Sequence, residues 1–141
     1  MSSARSKNRL ARPLHLEALE KRLLLAITLT NGLPSTDPDY FAVELEAGGT
    51  TQDAQLGDID TIQDYLGYLD TGNAVYNLLD HASEPVMEAD RAVSTATLAT
   101  PAGSVDVRVE SYIPAGSRTL VNEYEFTATD FDLREARFWQ Y

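Results

Sequence analysis

Hydrophobic and polar side chains alternate along several short segments, most clearly in the last fifty residues. Residues 105–113 place Val or Ile at most alternate positions, which is the pattern of a half-buried strand. The same pattern predicts strands at 40–46, 92–99, 120–126 and 133–141, with turns at 100–104, 114–117 and 130–132. Regularly spaced turns of this kind predict an antiparallel meander within an all-β, β-sandwich-like domain.

Residues 52–90 fit two interpretations, because their apolar positions suit either a helix or short strands. We expect short strands joined by acidic loops, since the rest of the body predicts strands. The chain ends on Phe138-Trp139-Gln140-Tyr141, which has no polar tail. We therefore expect the domain to be incomplete at its C-terminus and to expose an unpaired strand edge there.

Charge divides the chain into a basic head and an acidic body. Residues 1–24 hold six basic and two acidic residues, a net charge of +4, whereas residues 25–141 hold five basic and twenty acidic residues, a net charge of −15. Such a body repels phosphate backbones, so we expect no nucleic-acid partner. The chain has no cysteine, which excludes disulfides, thiol catalysis and thiolate zinc sites. No apolar run reaches the roughly 18–20 residues that a transmembrane span needs.

Composition and pattern divide the chain into three predicted regions. We expect a disordered basic head at 1–12, a targeting helix with its junction at 13–31, and the β domain at 32–141. Leucines recur at helical spacing over 14–25, which favours a short amphipathic helix. An ordinary secretory signal would have a longer, uninterrupted apolar core.

A motif within this helix resembles a known targeting segment. It consists of Leu16, Glu17, Leu19, Glu20, Arg22, Leu24 and Leu25. In this order after a basic head, these residues resemble the LEPR-XLL-type amino-terminal segment, which opens many large secreted or surface proteins of planctomycete-type bacteria. Lys21 and Ala26 depart from the usual residues of that segment. The resemblance implies contact with the export machinery and a secreted or cell-surface location, and it transfers no catalytic residue.

Two groups of aspartates carry candidate chemistry. Asp70-Thr71-Gly72 resembles the catalytic turn of aspartic proteases, which would require a dimer because the reaction uses two carboxylates. The alternative is a simple turn. Asp58, Asp60 and Asp64 are calcium candidates, because calcium takes several oxygen ligands from a loop. The alternative there is a solvated acidic loop.

Glutamates and tyrosines suggest two further sites. Glu110, Glu123 and Glu125 lie on neighbouring predicted strands, and paired carboxylates catalyse glycoside hydrolysis. Strand alternation alone also explains them as the polar face of a sandwich. An aromatic platform for sugar rings would use Tyr65, Tyr68, Tyr76 and Tyr112. The alternative is that these tyrosines pack at core edges or in hairpin pairs.

Together these observations favour the N-terminal part of an exported bacterial protein with a structural or adhesive role at the cell surface. One alternative is a carbohydrate- or calcium-binding β-module. Another is a hydrolase, either an aspartic protease around Asp70-Thr71-Gly72 or part of a larger enzyme. We expect the chain itself not to be an enzyme, to use no cofactor apart from calcium in the first alternative, and to have a polysaccharide or protein partner at the cell surface.

Overall fold

The computed structural model describes residues 26–61, 65–133 and 135–141. These residues form strands β1 (Ile27–Thr30), β2 (Phe41–Leu45), β3 (Thr51–Leu56), β4 (Ile59–Thr61), β5 (Gly67–Asp70), β6 (Val75–Asn77), β7 (Val86–Glu88), β8 (Arg91–Thr100), β9 (Gly103–Tyr112), β10 (Val121–Thr129) and β11 (Arg137–Gln140). All strand pairs are antiparallel, which confirms the all-β, sandwich-like class. The predicted head, helix and targeting motif lie outside the described residues.

The longest strands form one layer, which we call the main sheet. Strands β10, β9, β8 and β7 lie side by side in that order. β8 and β9 form a tight hairpin in which Thr100 pairs with Gly103, within the predicted turn at 100–104. The predicted turn at 114–117 is also present, because the Ser117 N–H donates to the Pro114 carbonyl at 2.9 Å. The predicted meander is therefore confirmed for β8, β9 and β10.

Two smaller sheets form the second layer. β1, β2, β3 and β4 form the N-terminal sheet, and β11, β5 and β6 form the C-terminal sheet. Leu29, Val43 and Leu45 of the N-terminal sheet form a buried cluster with Ala92 of β8. Leu69 of the C-terminal sheet belongs to a second buried cluster, which includes residues of β8 and β9. The two small sheets therefore cover opposite ends of the same face of the main sheet.

Strand β9 shows why this face is the core. Val105, Val107 and Val109 point inward and are at most 3 % exposed. Burying each valine contributes on the order of 1.5–3 kcal/mol. Ser111 takes the next inward position, and its hydroxyl donates to Asn122 Oδ1 at 2.7 Å. This hydrogen bond accommodates Asn122 on the otherwise apolar inner face of β10.

The region 52–90 contains the expected short strands. β3 to β7 lie there, together with a single helical turn at Leu78–His81. The turn begins at Asn77, whose side chain accepts the Leu79 N–H and so caps the first free amides. In the described part of the chain, no helix is long and apolar enough to cross a membrane.

Strand β1 lies within the range that the sequence assigns to the targeting helix and its junction. Leu29 pairs with Val43 of β2 and is 6 % exposed. Residues 27–30 therefore belong to the N-terminal sheet, and the β domain starts earlier than the predicted boundary at residue 32. Pattern alone missed this strand because only one of its side chains is fully buried.

The last strand is not where the predicted meander places it. The prediction of a strand at 133–141 next to β10 is wrong in its partner, because β11 pairs with β5. The Phe138 ring instead lies over β10, with its centroid 4.4 Å from that of Tyr124 and 5.3 Å from that of Phe126. β11 thus belongs to the second layer. Among the described strands it lies at the outer side of the C-terminal sheet, so within this part of the chain the expected strand edge near the C-terminus is present.

A three-residue turn at Ala47–Gly49 ties the second layer to the main sheet. The Gly48 N–H donates to Ser94 Oγ of β8 at 2.9 Å, and that hydroxyl donates to the Ser83 carbonyl at 2.6 Å. Gly49 has a φ of 73°, and a Cβ atom there would lie 2.7 Å from Val109 Cγ1. Glycine is required because the backbone reaches the core surface in a left-handed conformation.

Replacing Gly49 by alanine should destabilise the protein far more than its backbone angle alone predicts. Gly49→Ala adds left-handed strain of about 1–2 kcal/mol to overpacking of about 1–3 kcal/mol against Val109. Gly116→Ala is the matched control, because its φ is 70° but no atom lies within 4 Å of the added Cβ. Urea denaturation of both variants measures the difference. Equal losses in the free energy of unfolding would contradict the packing role of Gly49.

Candidate functional site

The outward side of the C-terminal sheet carries aromatic and polar side chains in two adjacent rows. Directly opposed residues of antiparallel strands project to the same side. Tyr68 lies opposite Trp139 and Asn77, and two residues along β5, Asp70 lies opposite Arg137 and Val75. We call this surface the aromatic face. It comprises Tyr68, Asp70, Val75, Asn77, Arg137, Trp139 and Tyr141.

The centre of the aromatic face is a stacked pair. The Tyr68 and Trp139 ring centroids are 5.8 Å apart, and their planes differ by 14°. Trp139 is 38 % exposed although it is the largest apolar side chain of its strand. Tyr141 continues the surface along β11, because its backbone forms both hydrogen bonds with Leu66, at 3.0 and 2.9 Å. Its side chain is 85 % exposed, so Trp139 and Tyr141 are accessible to a partner, while Tyr68 is half-buried.

The orientation of Trp139 is fixed by its two neighbours in β11. Phe138 packs against the inner aromatic residues of β10, and Gln140 Nε2 donates to Tyr124 Oη at 2.8 Å. Burial raises the pKa of Tyr124, against the smaller lowering effect of the Gln140 hydrogen bond, so the hydroxyl stays neutral at physiological pH. Since Phe138 and Gln140 point inward, strand alternation holds Trp139 outward.

The Asp70-Thr71-Gly72 segment forms the hairpin turn between β5 and β6. Asp70 Oδ1 accepts the Gly72 N–H at 2.8 Å, and the Thr71 N–H donates to the Ala74 carbonyl at 3.1 Å. Gly72 has a φ of 85°, which this turn requires. The geometry supports the interpretation as a turn and places the Asp70 carboxylate at the border of the aromatic face.

The three calcium candidates are not assembled by the described residues. Asp58 lies in the turn between β3 and β4, and Asp60 lies on β4; both are exposed. Asp64 lies outside the described residues. Across residues 26–61, 65–133 and 135–141, no group of three or more His, Cys, Asp and Glu side chains is arranged to hold a metal ion. Calcium binding therefore stays a prediction.

The predicted glutamates lie on the outer side of the main sheet and belong to an ion-pair network. Glu110 and Glu123 are directly opposed across β9 and β10. Arg91 Nη1 lies between them, 2.9 Å from Glu110 Oε2 and 2.8 Å from Glu123 Oε2. Arg108 connects Glu110 to Glu88 of β7, at 2.9 and 2.8 Å. The network therefore crosses all four strands of the main sheet.

This network holds Glu110 in its ionised form. The hydrogen bond from Arg108 lowers the pKa of Glu110, partial desolvation opposes this, and the hydrogen bond from Arg91 lowers the pKa further. A general acid of glycoside hydrolysis needs the opposite, a raised pKa. Glu125, the third candidate, is exposed and lies opposite Arg108. The arrangement supports the interpretation of these glutamates as the polar face of the sandwich.

The four tyrosines predicted to form one platform lie on different surfaces. Tyr68 is on the aromatic face, whereas Tyr76 projects to the other side of its sheet and donates to the Ala99 carbonyl at 2.9 Å. Tyr112 lies on the outer side of the main sheet, with its ring 4.2 Å from the Arg91 guanidinium. Tyr65 pairs with Thr51 in a β-bridge.

The prediction of a four-tyrosine platform is therefore wrong, and the partner that it missed is Trp139. Alternation in the last five residues places Trp139 and Tyr141 on one side of a strand. This signal is present in the sequence, but it does not identify β5 as the neighbouring strand.

Comparison with known proteins adds no relative to this description. No protein-family model matches the chain, and no match is found among curated proteins or among solved structures.

The ion-pair network predicts an acid-dependent part of the stability. The folded-state pKa of Glu110 is depressed, so its contribution is present above the unfolded pKa of about 4.3 and is lost as pH falls through the folded pKa. Glu110→Gln should therefore lower the stability at neutral pH. It should also make the loss of stability on acidification below about pH 4.3 less steep than in the wild type. Thermal melts across this range measure the slope. Glu125→Gln, an exposed change of the same charge, serves as control; identical pH profiles for the two variants would contradict the role of Glu110.

Proposed function

We propose that this chain belongs to an exported bacterial protein and has a structural or adhesive role at the cell surface. The observation that carries the proposal is the aromatic face, an ordered and exposed set of large side chains on the outside of a two-layer fold. Exposed apolar groups of this kind are typical of contact surfaces. Trp139 is 38 % exposed and Tyr141 is 85 % exposed, so burial of these side chains contributes little to the stability of the fold.

The shape of the surface supports adhesion over catalysis. The aromatic face is the side of a small sheet, whereas catalysis typically uses a concave site with convergent groups of perturbed pKa. On the other layer, Glu110 and Glu123 are bridged by Arg91 at 2.9 and 2.8 Å, so both carboxylates are held in ion pairs within the sheet. A carboxylate held in this way stabilises the fold and is poorly suited to donate a proton.

The N-terminal sequence supports export. Residues 1–24 carry a net charge of +4, and this basic segment overlaps the targeting motif at 16–25. The body is a two-layer β-structure, an architecture that many cell-surface domains share. Its acidic charge favours solubility, and its lack of cysteine makes its stability independent of the redox state of the surroundings.

Localisation of the full chain tests the proposal. A C-terminally tagged chain, expressed in a planctomycete-type bacterium, should lose its tag when protease is added to intact cells. Changing Leu24 and Leu25 of the motif to aspartate should keep the tag protected inside, because the apolar part of the segment is destroyed. Leu10→Asp, a leucine of the head outside the motif, is the matched control and should behave as the wild type.

Adsorption of the purified chain to isolated cell envelopes tests the adhesive role. The wild-type chain should co-sediment with envelopes of the same bacterium. Retention of the tagged wild-type chain in the cytoplasm would overturn the export proposal, and failure of the purified chain to sediment would overturn the adhesive one.

A further inference from the structure

We infer that the aromatic face binds a neutral polysaccharide by stacking sugar rings on Tyr68 and Trp139. The inference rests on the proposed adhesive function and names the class of ligand that this function would use. The sequence suggested a sugar-binding platform of tyrosines but not this pair, because Tyr68 and Trp139 meet only through the pairing of β5 with β11.

The stacked pair suits the chemistry of a pyranose ring. A pyranose has C–H groups on its faces and hydroxyl groups around its rim. The faces of aromatic rings carry negative charge density, which attracts the slightly positive C–H hydrogens, and stacking also removes apolar surface from water. The Tyr68 and Trp139 planes differ by only 14°, so the two rings share one orientation. Trp139, on the outer strand β11 and 38 % exposed, is the more accessible ring, whereas Tyr68 is half-buried.

Polar groups lie beside the stack, where the rim hydroxyls of a sugar need partners. Asn77 Oδ1 accepts the Leu79 N–H at 3.1 Å, and Asp70 Oδ1 accepts the Gly72 N–H at 2.8 Å, so both side chains are oriented by backbone bonds. The Asn77 amide nitrogen and the second Asp70 oxygen then supply a donor and an acceptor. Arg137 adds further donors from the same side of β11.

The surface is already ordered before a ligand binds. Phe138 and Gln140 hold β11 against β10 through an aromatic contact at 4.4 Å and a hydrogen bond at 2.8 Å. Trp139 therefore loses little conformational freedom on binding. A preorganised side chain reduces the entropic cost of association, which matters for a shallow site with few contacts.

The size of the face favours a sugar chain over a protein. Its three strands are at most four residues long, which gives roughly 13 Å by 10 Å, or on the order of 130 Å². A stable protein interface needs about 800 Å² on each partner. A second copy of this chain is also disfavoured, because each body carries a net charge of −15 over residues 25–141. An extended oligosaccharide fits a surface of this area.

Charge restricts the ligand further, to a neutral polysaccharide. Asp70 and Arg137 bring one negative and one positive group to the face, so it has no excess of cations to hold a polyanion. The acidic body repels uronic-acid polymers at longer range, within the Debye length of about 8–10 Å at physiological salt.

Affinity gel electrophoresis of the full chain tests the inference. The probes are mixed-linkage β-glucan, galactomannan and hydroxyethylcellulose as neutral polymers, and polygalacturonate as an anionic one. At least one neutral polymer should retard the wild-type chain, and polygalacturonate should not. Trp139→Ala should weaken the retardation roughly tenfold, equivalent to about 1.4 kcal/mol. Tyr112→Ala, an aromatic change on the outer side of the main sheet, is the matched control and should leave retardation unchanged.

Two further variants keep the test decisive if Trp139→Ala fails to fold. Trp139→Phe keeps a flat ring and should retain part of the affinity, whereas Arg137→Ala removes an exposed polar partner and should weaken binding severalfold. Circular dichroism confirms the fold of each. Unchanged retardation in correctly folded Arg137→Ala and Trp139→Phe would overturn the assigned site, as would absence of retardation by every neutral polymer.

The envelope assay separates this inference from the proposed function. Envelope binding that the neutral polymers do not compete would leave the adhesive role standing and overturn the sugar ligand. Retardation by a neutral polymer in a chain that stays in the cytoplasm would support the ligand and overturn export.

Discussion

The inner face of the β8–β9 hairpin is the surface on which both small sheets depend. It carries the buried residues Ala92, Ser94, Ala96 and Leu98 of β8 and Val105, Val107 and Val109 of β9. The Ala47–Gly49 backbone approaches this surface at Ser94, whose hydroxyl accepts the Gly48 N–H at 2.9 Å. The turn at Ala47–Gly49 follows β2 of the N-terminal sheet and lies against the backbone of Leu78, which follows β6 of the C-terminal sheet. The bridge between Thr51 and Tyr65 also joins the two small sheets, so their relative placement is set by this bridge together with their contact with the main sheet.

The alternation of apolar and polar residues predicted the strands and their inward faces, but not which strands pair. Alternation over 105–113 identified the inward valines of β9 because each of them alternates with a solvent-facing residue. The position of β11 could not be predicted in the same way, because alternation states which side chains share a face but not which strand lies beside them. Tyr68 and Trp139 are far apart in sequence, so their contact depends on long-range pairing. The glutamates were placed correctly on a polar face, whereas the bridging role of Arg91 depends on side-chain geometry.

The two outer surfaces of the sandwich differ in character. On the main sheet, Arg91 and Arg108 are two of the only five basic residues in the body, and both are engaged by carboxylates of neighbouring strands. Single exposed ion pairs contribute little, but a network across four strands limits independent motion of those strands. The C-terminal sheet instead presents aromatic rings beside mixed polar groups. The charged groups of the main sheet thus pair with one another, whereas the aromatic and polar groups of the C-terminal sheet are accessible to a partner.

Trp139 has a consequence for observation of the molecule. It is the only tryptophan in the sequence, and it lies half in solvent against the Tyr68 ring. Indole emission depends on the polarity around the ring, so the intrinsic fluorescence of the unmodified protein originates at one known surface. Of the other six tyrosines, only Tyr141 belongs to the aromatic face. The chain therefore carries its own optical label at the position where contact with another molecule would alter it.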